Sequence, residues 1–218
     1  MNGRELIARR VAKEFSHGNY VNLGIGLPTT VANFIPDGIH VTMHAENGIL
    51  GVGPTPENGN EDIDCTDAGG NYVSTQKGAV FIDSALSFAI IRGGHIDITV
   101  LGALEVDQEG NLASWMVPGR KVTGMGGAMD LVVGAKRVII AMDHVNKDGG
   151  PKILAKCNLP LTAANEVDLI VTEMAVIEVI HGKGLLLKEI APGLTIDQVK
   201  AATGSELLIA DEVKFMEV

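Results

Sequence analysis

Strand-like apolar segments alternate with helix-like segments along the chain, and glycine-rich turns separate them. Residues 5–15 place Leu6, Ile7, Val11 and Phe15 at helical spacing, and residues 20–23 then have the apolar character of a short strand. Residues 137–142 form a continuous apolar run, which is typical of a strand buried on both faces. This alternation predicts an α/β fold with an open, mainly parallel sheet and flanking helices.

The same signals predict the remaining elements. Further strands are expected at residues 40–44, 81–82, 96–106, 112–116, 167–172, 176–180, 185–190 and 206–210. Further helices are expected at residues 29–34, 85–92, 128–134 and 195–202. Three of these helices have candidate capping residues, which are Thr29 or Thr30, Asp83 or Ser84, and Thr195 with Gln198 as a capping box. Residues 47–71 are rich in Gly, Pro, Asn and Asp and are expected to form a long loop.

Length and charge limit the classes of function. The 218 residues show no repeat or linker, so a single domain over residues 1–218 is the simplest organisation. The net charge of -10 and the 4% aromatic content argue against nucleic-acid binding. No apolar run approaches the roughly 20 residues of a membrane span. Because the N-terminus shows no signal-peptide pattern and Cys65 and Cys157 suggest separate reduced thiols, we expect a cytoplasmic protein.

Three loops are candidates for a binding site, because ligands of open parallel sheets bind beyond the carboxyl ends of the strands. Residues 24–28 follow a strand, and their amides would face an anion, although a plain tight turn is the favoured alternative. Glu46 places a carboxylate where a strand ends, and the alternative is an exposed loop glutamate. Residues 124–130 bring glycines to a helix N-terminus, where backbone N–H groups would stabilise an oxyanion. The alternative is that these glycines form only the turn that leads into the helix.

Two histidines are candidate metal ligands by their spacing. His40 and His44 would share one face of a strand, and a zinc ion would need a further ligand nearby. Since no second spaced cluster supports such a site, ordinary polar packing is the favoured interpretation, and no metal ion is expected.

Taken together and in order, six motifs resemble the B (β) subunit of the class I, 3-oxoacid-type CoA-transferases. The resemblance extends over residues 6–210 and implies the open α/β sheet of that family. The motifs are Val21 to Pro28, Glu46-Asn47-Gly48, Ile91 to His95, Trp115 to Gly119, Gly124 to Asp130, and Leu159 to Thr162.

The resemblance implies roles for individual residues. Glu46 matches the catalytic glutamate of the family's Ser-Glu-Asn-Gly motif, and Ala45 stands in place of that serine. The oxyanion-binding backbone amide maps to Gly127, and Gly126 and Asn47 are expected to contact the same substrate. The residues expected beside bound coenzyme A are Gly24, Gly26 and Leu27.

The family mechanism implied by the resemblance is ping-pong transfer through a glutamyl–CoA thioester on Glu46. Coenzyme A is then a substrate, and no permanently bound cofactor is expected. The acyl groups implied are acetoacetate with acetate, butyrate or succinate, and the partner is an A (α) subunit in an A2B2 assembly. Two alternatives stay open: an acyl-CoA hydrolase on the same fold, which Ala45 would suit, and a non-catalytic ligand-sensing subunit, which has no need of Glu46.

Overall fold

The computed structural model describes residues 2–119, 122 and 124–217. Its helices are α1 (Gly3–Ala12), α2 (Ser84–Arg92), α3 (Ala128–Gly134) and α4 (Ile196–Ala202), with a 3₁₀ helix at Pro28–Phe34. Its strands are β1 (Tyr20–Leu23), β2 (Thr42–Ala45), β3 (Ile49–Val52), β4 (Thr75–Phe81), β5 (Ile98–Leu101), β6 (Glu105–Asp107), β7 (Leu112–Ala113), β8 (Val138–Ala141), β9 (Ile153–Leu154), β10 (Leu169–Val171), β11 (Ala175–Ile180), β12 (Gly184–Ile190) and β13 (Leu207–Phe215).

Ten strands form one open sheet in the order β13-β12-β11-β10-β8-β5-β1-β2-β3-β4. The five central strands, β10, β8, β5, β1 and β2, are parallel to one another, while β3 and β11 pair antiparallel with their neighbours. A small second sheet has the order β7-β6-β9. The predicted open, mainly parallel sheet with flanking helices is therefore confirmed, with antiparallel strands added on both sides. A single domain remains a prediction, and its end residues Met1 and Val218 lie outside the described residues.

The core lies in two layers, one on each face of the sheet. Successive side chains of a strand point to opposite faces, so Ile139 joins the layer under α1 and Ile140 joins the layer under α2 and α3. Ile7 of α1 and Ile91 of α2 are fully buried in these layers. The apolar run at residues 137–142 thus supplies both layers at once, as its composition predicted.

Helix caps confirm two of the predicted starts and correct one. Asp83 accepts a hydrogen bond from Leu86 N at 2.8 Å at the start of α2, and Thr195 forms the predicted capping box at α4. The prediction of a threonine cap at residues 29–34 was wrong. The hydroxyls of Thr29 and Thr30 instead donate to carbonyls of the preceding turn at 2.7 Å, and the 3₁₀ helix begins at Pro28.

Several predicted boundaries also differ. The expected strand 96–106 is two strands, because β5 pairs in the large sheet and β6 pairs with β7 and β9 in the small one. The expected loop 47–71 contains β3 near its start, and this strand runs back along β2. The final strand is β13, which is longer than residues 206–210, and β9 had no counterpart among the predicted strands. No helix in the part of the chain that the structure describes is long and apolar enough to cross a bilayer.

Candidate active site

Glu46 lies at the carboxyl end of β2, in the turn that joins β2 to β3. Gly48 shapes this turn: its φ is 130°, and its N–H donates to Ala45 O at 2.9 Å. A Cβ atom at Gly48 would lie 2.2 Å from Ile82 O, so only glycine fits there. The turn therefore fixes the backbone of Glu46. It lies at the edge formed by the carboxyl ends of the strands, which is where open parallel sheets bind ligands.

Asn22 of β1 holds the Glu46 carboxylate. Its Nδ2 donates to Glu46 Oε2 at 3.0 Å, and its side chain is fully buried while Glu46 is half-buried. The parallel register places Asn22 opposite His44, two residues before Glu46. A buried amide on one strand thus reaches a carboxylate at the end of the next, which leaves Glu46 Oε1 free of this hydrogen bond.

His44 and Ser87 lie behind Asn22. The Asn22 Nδ2 atom is 3.1 Å from His44 O and 3.3 Å from His44 Nδ1, and His44 Nε2 is 2.9 Å from Ser87 Oγ in α2. Burial lowers the pKa of His44 to about 4, so its imidazole is neutral near pH 7. We name these four residues the polar row: Glu46, Asn22, His44 and Ser87.

Gly127 brings the second candidate loop to Glu46. It precedes α3 with φ at -83°, and it is buried. A Cβ atom at this position would lie 3.4 Å from Glu46 Cγ and 3.2 Å from Phe88 Cζ. The backbone at Gly127 is therefore in direct reach of the Glu46 side chain. Gly126 is exposed beside it, with a φ of 54° that favours glycine.

The third candidate loop follows β1, the strand that carries Asn22. Gly24 N donates to Val100 O at 2.8 Å, and a Cβ atom at Gly24 would lie 3.0 Å from Leu101 Cδ2, so the loop is held close against β5. Gly26 is exposed with a φ of 93°, as the tight-turn alternative predicts, and Leu27 is half-buried against the core. Coenzyme A binding at Gly24, Gly26 and Leu27 stays a prediction.

Asn47 and His40 have other neighbours. Asn47 is exposed, and its Nδ2 donates to Thr66 O at 2.7 Å, which ties the turn to the loop before β4. A substrate contact for Asn47 stays a prediction. The ring of His40 packs edge-on against His17 with 5.3 Å between centroids, whereas His44 packs against Asn22 and Ser87. Within the described residues, no group of three or more His, Cys, Asp and Glu side chains is arranged to hold a metal ion.

The structure thus joins Glu46 and Gly127, which the sequence indicated, to Asn22 and Ser87, to which the sequence analysis assigned no role. One signal was present in the sequence: Asn22 interrupts the apolar strand 20–23, and such a residue needs a hydrogen-bond partner when it is buried. The partner depends on the register of β1 with β2, which the sequence does not reveal.

Comparison with known proteins gives consistent matches. The family model described as Coenzyme A transferase matches residues 4–202. The beta subunit of the acetate CoA-transferase of Haemophilus influenzae is 54% identical over 219 residues, which cover 100% of this chain and 97% of that protein. The B subunit of a probable succinyl-CoA:3-ketoacid coenzyme A transferase of Bacillus subtilis is 48% identical over 210 residues, or 96% of this chain and 97% of that protein.

A solved structure matches the fold. The acyl-CoA transferase apoenzyme of Escherichia coli O157:H7 superposes with a TM-score of 0.79 at 24% identity, over 99% of this chain and 43% of that one. At this identity the likeness extends to the arrangement of helices and strands.

Proposed function

Because the chain belongs to the coenzyme A transferase family, it is part of a CoA-transferase, and we propose that Glu46 is the nucleophile of that enzyme. The observation that carries this proposal is the position of Glu46, whose carboxylate accepts from Asn22 at 3.0 Å while its Cγ lies beside the backbone at Gly127. The site thus combines a nucleophile, a donor that orients it, and a side-chain-free backbone for the reacting carbonyl.

The proposed reaction is ping-pong. The carboxylate of Glu46 attacks the carbonyl carbon of an acyl-CoA, the C–S bond breaks, and an acyl–glutamyl anhydride and CoA thiolate result. The thiolate then attacks the glutamyl carbonyl, which releases the carboxylate of the acyl group and leaves a glutamyl–CoA thioester. A second carboxylate reverses both steps and leaves as the new acyl-CoA.

Asn22 serves both halves of this sequence. Its hydrogen bond to Oε2 leaves Oε1 as the attacking oxygen, and after thioester formation the same N–H faces the oxygen of the glutamyl carbonyl. The backbone amide of Gly127 is proposed to stabilise the oxyanion of the tetrahedral intermediates. One such donor contributes about 3 kcal/mol to the transition state.

The proposed substrates follow the names of the relatives, which act on acetate or on succinyl-CoA and a 3-ketoacid. We infer that this chain moves coenzyme A between acetoacetate and acetate, butyrate or succinate. Coenzyme A is a substrate here, and no step needs a metal ion or a permanently bound cofactor.

We also propose an A (α) subunit as partner, in an A2B2 assembly, because the relatives are named as beta or B subunits. The structure gives a physical reason. The anhydride has to be kept from water, yet Asn47 and Gly126 are exposed beside Glu46 in this chain. A second subunit that covers them would complete the site.

The test is Glu46→Gln in the complex with the α subunit. The variant keeps the size of the side chain and removes the anionic nucleophile, so transfer from acetoacetyl-CoA to acetate should fall by at least roughly 10³-fold. Binding of coenzyme A and the melting temperature should stay close to those of the wild type.

The same assay separates the alternatives. Release of free coenzyme A without an acceptor acid would favour an acyl-CoA hydrolase, for which Ala45 is the motivating observation. Ligand binding without turnover in the wild-type complex would favour a sensing subunit.

A further inference from the structure

We propose that His44 is a positioning residue of this enzyme: with Ser87 it fixes the amide orientation of Asn22, so that Asn22 presents N–H to Glu46. This inference rests on the proposed role of Glu46. His44 does not touch the reacting atoms, and it acts through Asn22.

The polar row crosses the interior of the protein. Asn22 and Ser87 are fully buried and His44 is 3% exposed, so water does not compete for their hydrogen bonds. Asn22 and His44 sit opposite each other in the β1–β2 pairing, and Ser87 approaches from α2. Only Glu46, at the end of the row, reaches the surface of the site.

The hydrogen bonds of Asn22 determine the state of the His44 ring. Asn22 Nδ2 faces three acceptor positions, and two of them, Glu46 Oε2 and His44 O, can only accept. The two hydrogens of the amide nitrogen therefore point towards them, and His44 Nδ1, at 3.3 Å from the same nitrogen, shares one of these hydrogens only if it is unprotonated. The proton of the neutral ring is then on Nε2, which donates to Ser87 Oγ at 2.9 Å. Burial supports the neutral form, since it lowers the pKa of His44 to about 4.

The opposite arrangement would disturb Glu46. With the proton on Nδ1, His44 would oppose the Asn22 N–H groups and favour the flipped amide. Asn22 Oδ1 would then face the Glu46 carboxylate, and two acceptors would repel each other. The Ser87 hydroxyl is able to accept from Nε2–H and so provides a buried partner for the required tautomer, which the Asn22 N–H groups select.

One side-chain oxygen of the polar row, and one beside the row, lack a hydrogen-bond partner among the described residues. Among the described residues, Asn22 Oδ1 and Thr99 Oγ1 are buried side-chain atoms without a hydrogen-bond partner. The two residues are register partners in β1 and β5. Buried side-chain oxygens without a partner are uncommon in native proteins, and a role in a functional site is one reason for their retention.

His144 offers a matched control. It is also fully buried and neutral, and its two ring nitrogens are each 2.9 Å from a threonine hydroxyl, in Thr172 and Thr203. It follows β8, which is three strands from β2 in the sheet. A leucine at position 144 should disturb the core as much as a leucine at position 44. It should not change the hydrogen bonds of Asn22.

The experiment compares His44→Leu, His44→Gln and His144→Leu in the complex with the α subunit. His44→Leu removes the acceptor for Asn22, and kcat should fall about 10-fold while KM for acyl-CoA changes less than about twofold. His44→Gln should restore most of kcat, because a glutamine amide also carries one acceptor and one donor on a planar group. His144→Leu should lower the melting temperature and leave kcat per folded enzyme unchanged.

A milder variant covers the case in which His44→Leu does not fold. Ser87→Ala suits a helix and leaves Nε2–H without its acceptor, so kcat should fall about fivefold. The proposal is overturned if Ser87→Ala keeps the wild-type kcat. It is also overturned if a folded His44→Leu variant keeps the wild-type kcat, or if His44→Gln has a kcat as low as that of His44→Leu. Trapping of a thioester on Glu46 in the wild-type complex distinguishes the two possible failures. If only the role of His44 is wrong, the thioester still forms; if the proposed function is wrong, it does not.

Discussion

At the scale of single residues, two glycines determine how close the chain comes to Glu46. At Gly48 a Cβ atom would meet Ile82 O at 2.2 Å, so the turn that presents the carboxylate requires glycine. At Gly127 the φ of -83° suits any residue, and the limit is space: a Cβ atom would lie 3.2 Å from Phe88 Cζ, which is tight, and in contact with Glu46 Cγ at 3.4 Å. Gly127 therefore offers a change that leaves the backbone unstrained and acts on the site.

We predict that Gly127→Ala lowers kcat about 10-fold with little change in folding stability. The added methyl group requires the Phe88 ring to move by a few tenths of an ångström and fills the space beside Glu46 Cγ, and a nucleophile loses rate steeply when it is misplaced. Steady-state kinetics and thermal unfolding of the same complex check this. Wild-type kcat in the alanine variant would show that the backbone at position 127 is not near the reacting group.

At the scale of elements, a buried ion-pair network fastens α1 to the sheet. Arg10, 9% exposed, makes two 2.7 Å hydrogen bonds to Glu189 of β12 and one of 2.6 Å to Glu14. Glu14 also pairs with Arg137, just before β8, at 2.7 Å. Burial by itself raises the pKa of Glu14, but the hydrogen bonds and charges of Arg10 and Arg137 outweigh it and lower the pKa.

We predict that Arg10→Leu destabilises the chain by about 3 kcal/mol. Glu14 would lose one of its two arginine partners, and the half-buried carboxylate of Glu189 would lose its arginine partner. Urea unfolding measures this. The neighbouring Arg9→Leu is the control: Arg9 pairs with Glu5 at the surface and lies over Phe34, so its loss should cost about 1 kcal/mol or less. Equal losses for the two variants would contradict the role assigned to burial.

Elements also show what the sequence could predict. Local patterns were sufficient for the apolar strand at residues 137–142 and for the caps at Asp83 and Thr195, since their signals lie within a few residues. The division of residues 96–106 between two sheets depends on pairing with distant strands, which no local pattern contains. The site divides in the same way. Glu46 and Gly127 lie in local motifs that the sequence alone identifies. The contact of Asn22 with Glu46 depends on the register between β1 and β2, which no local motif contains.

At the scale of the whole molecule, two buried neutral histidines make folding depend on pH. Burial lowers the pKa of both His44 and His144 from 6.5 to about 4. The unfolded chain therefore binds more protons than the native chain at intermediate pH. Their contribution to stability is complete above about pH 6.5 and is lost as the pH falls towards 4.

We predict that the free energy of unfolding falls by about 2 kcal/mol per buried histidine between pH 7 and pH 5. Urea unfolding at both pH values tests this against His144→Gln, which removes one of the two titrating groups. The variant should lose about 2 kcal/mol less than the wild type over this interval. Parallel losses in the two proteins would show that His144 keeps an ordinary pKa in the native state.

The central claim is that Glu46 forms a covalent thioester with coenzyme A, and borohydride trapping tests it most directly. The complex with the α subunit is incubated with acetoacetyl-CoA, treated with borohydride and analysed by peptide mass spectrometry. A thioester is electrophilic and a free carboxylate is not, so reduction to the alcohol should remove about 14 Da at Glu46 and nowhere else. Glu46→Gln should show no such loss. An unmodified Glu46 in a complex that binds coenzyme A would contradict the proposed mechanism.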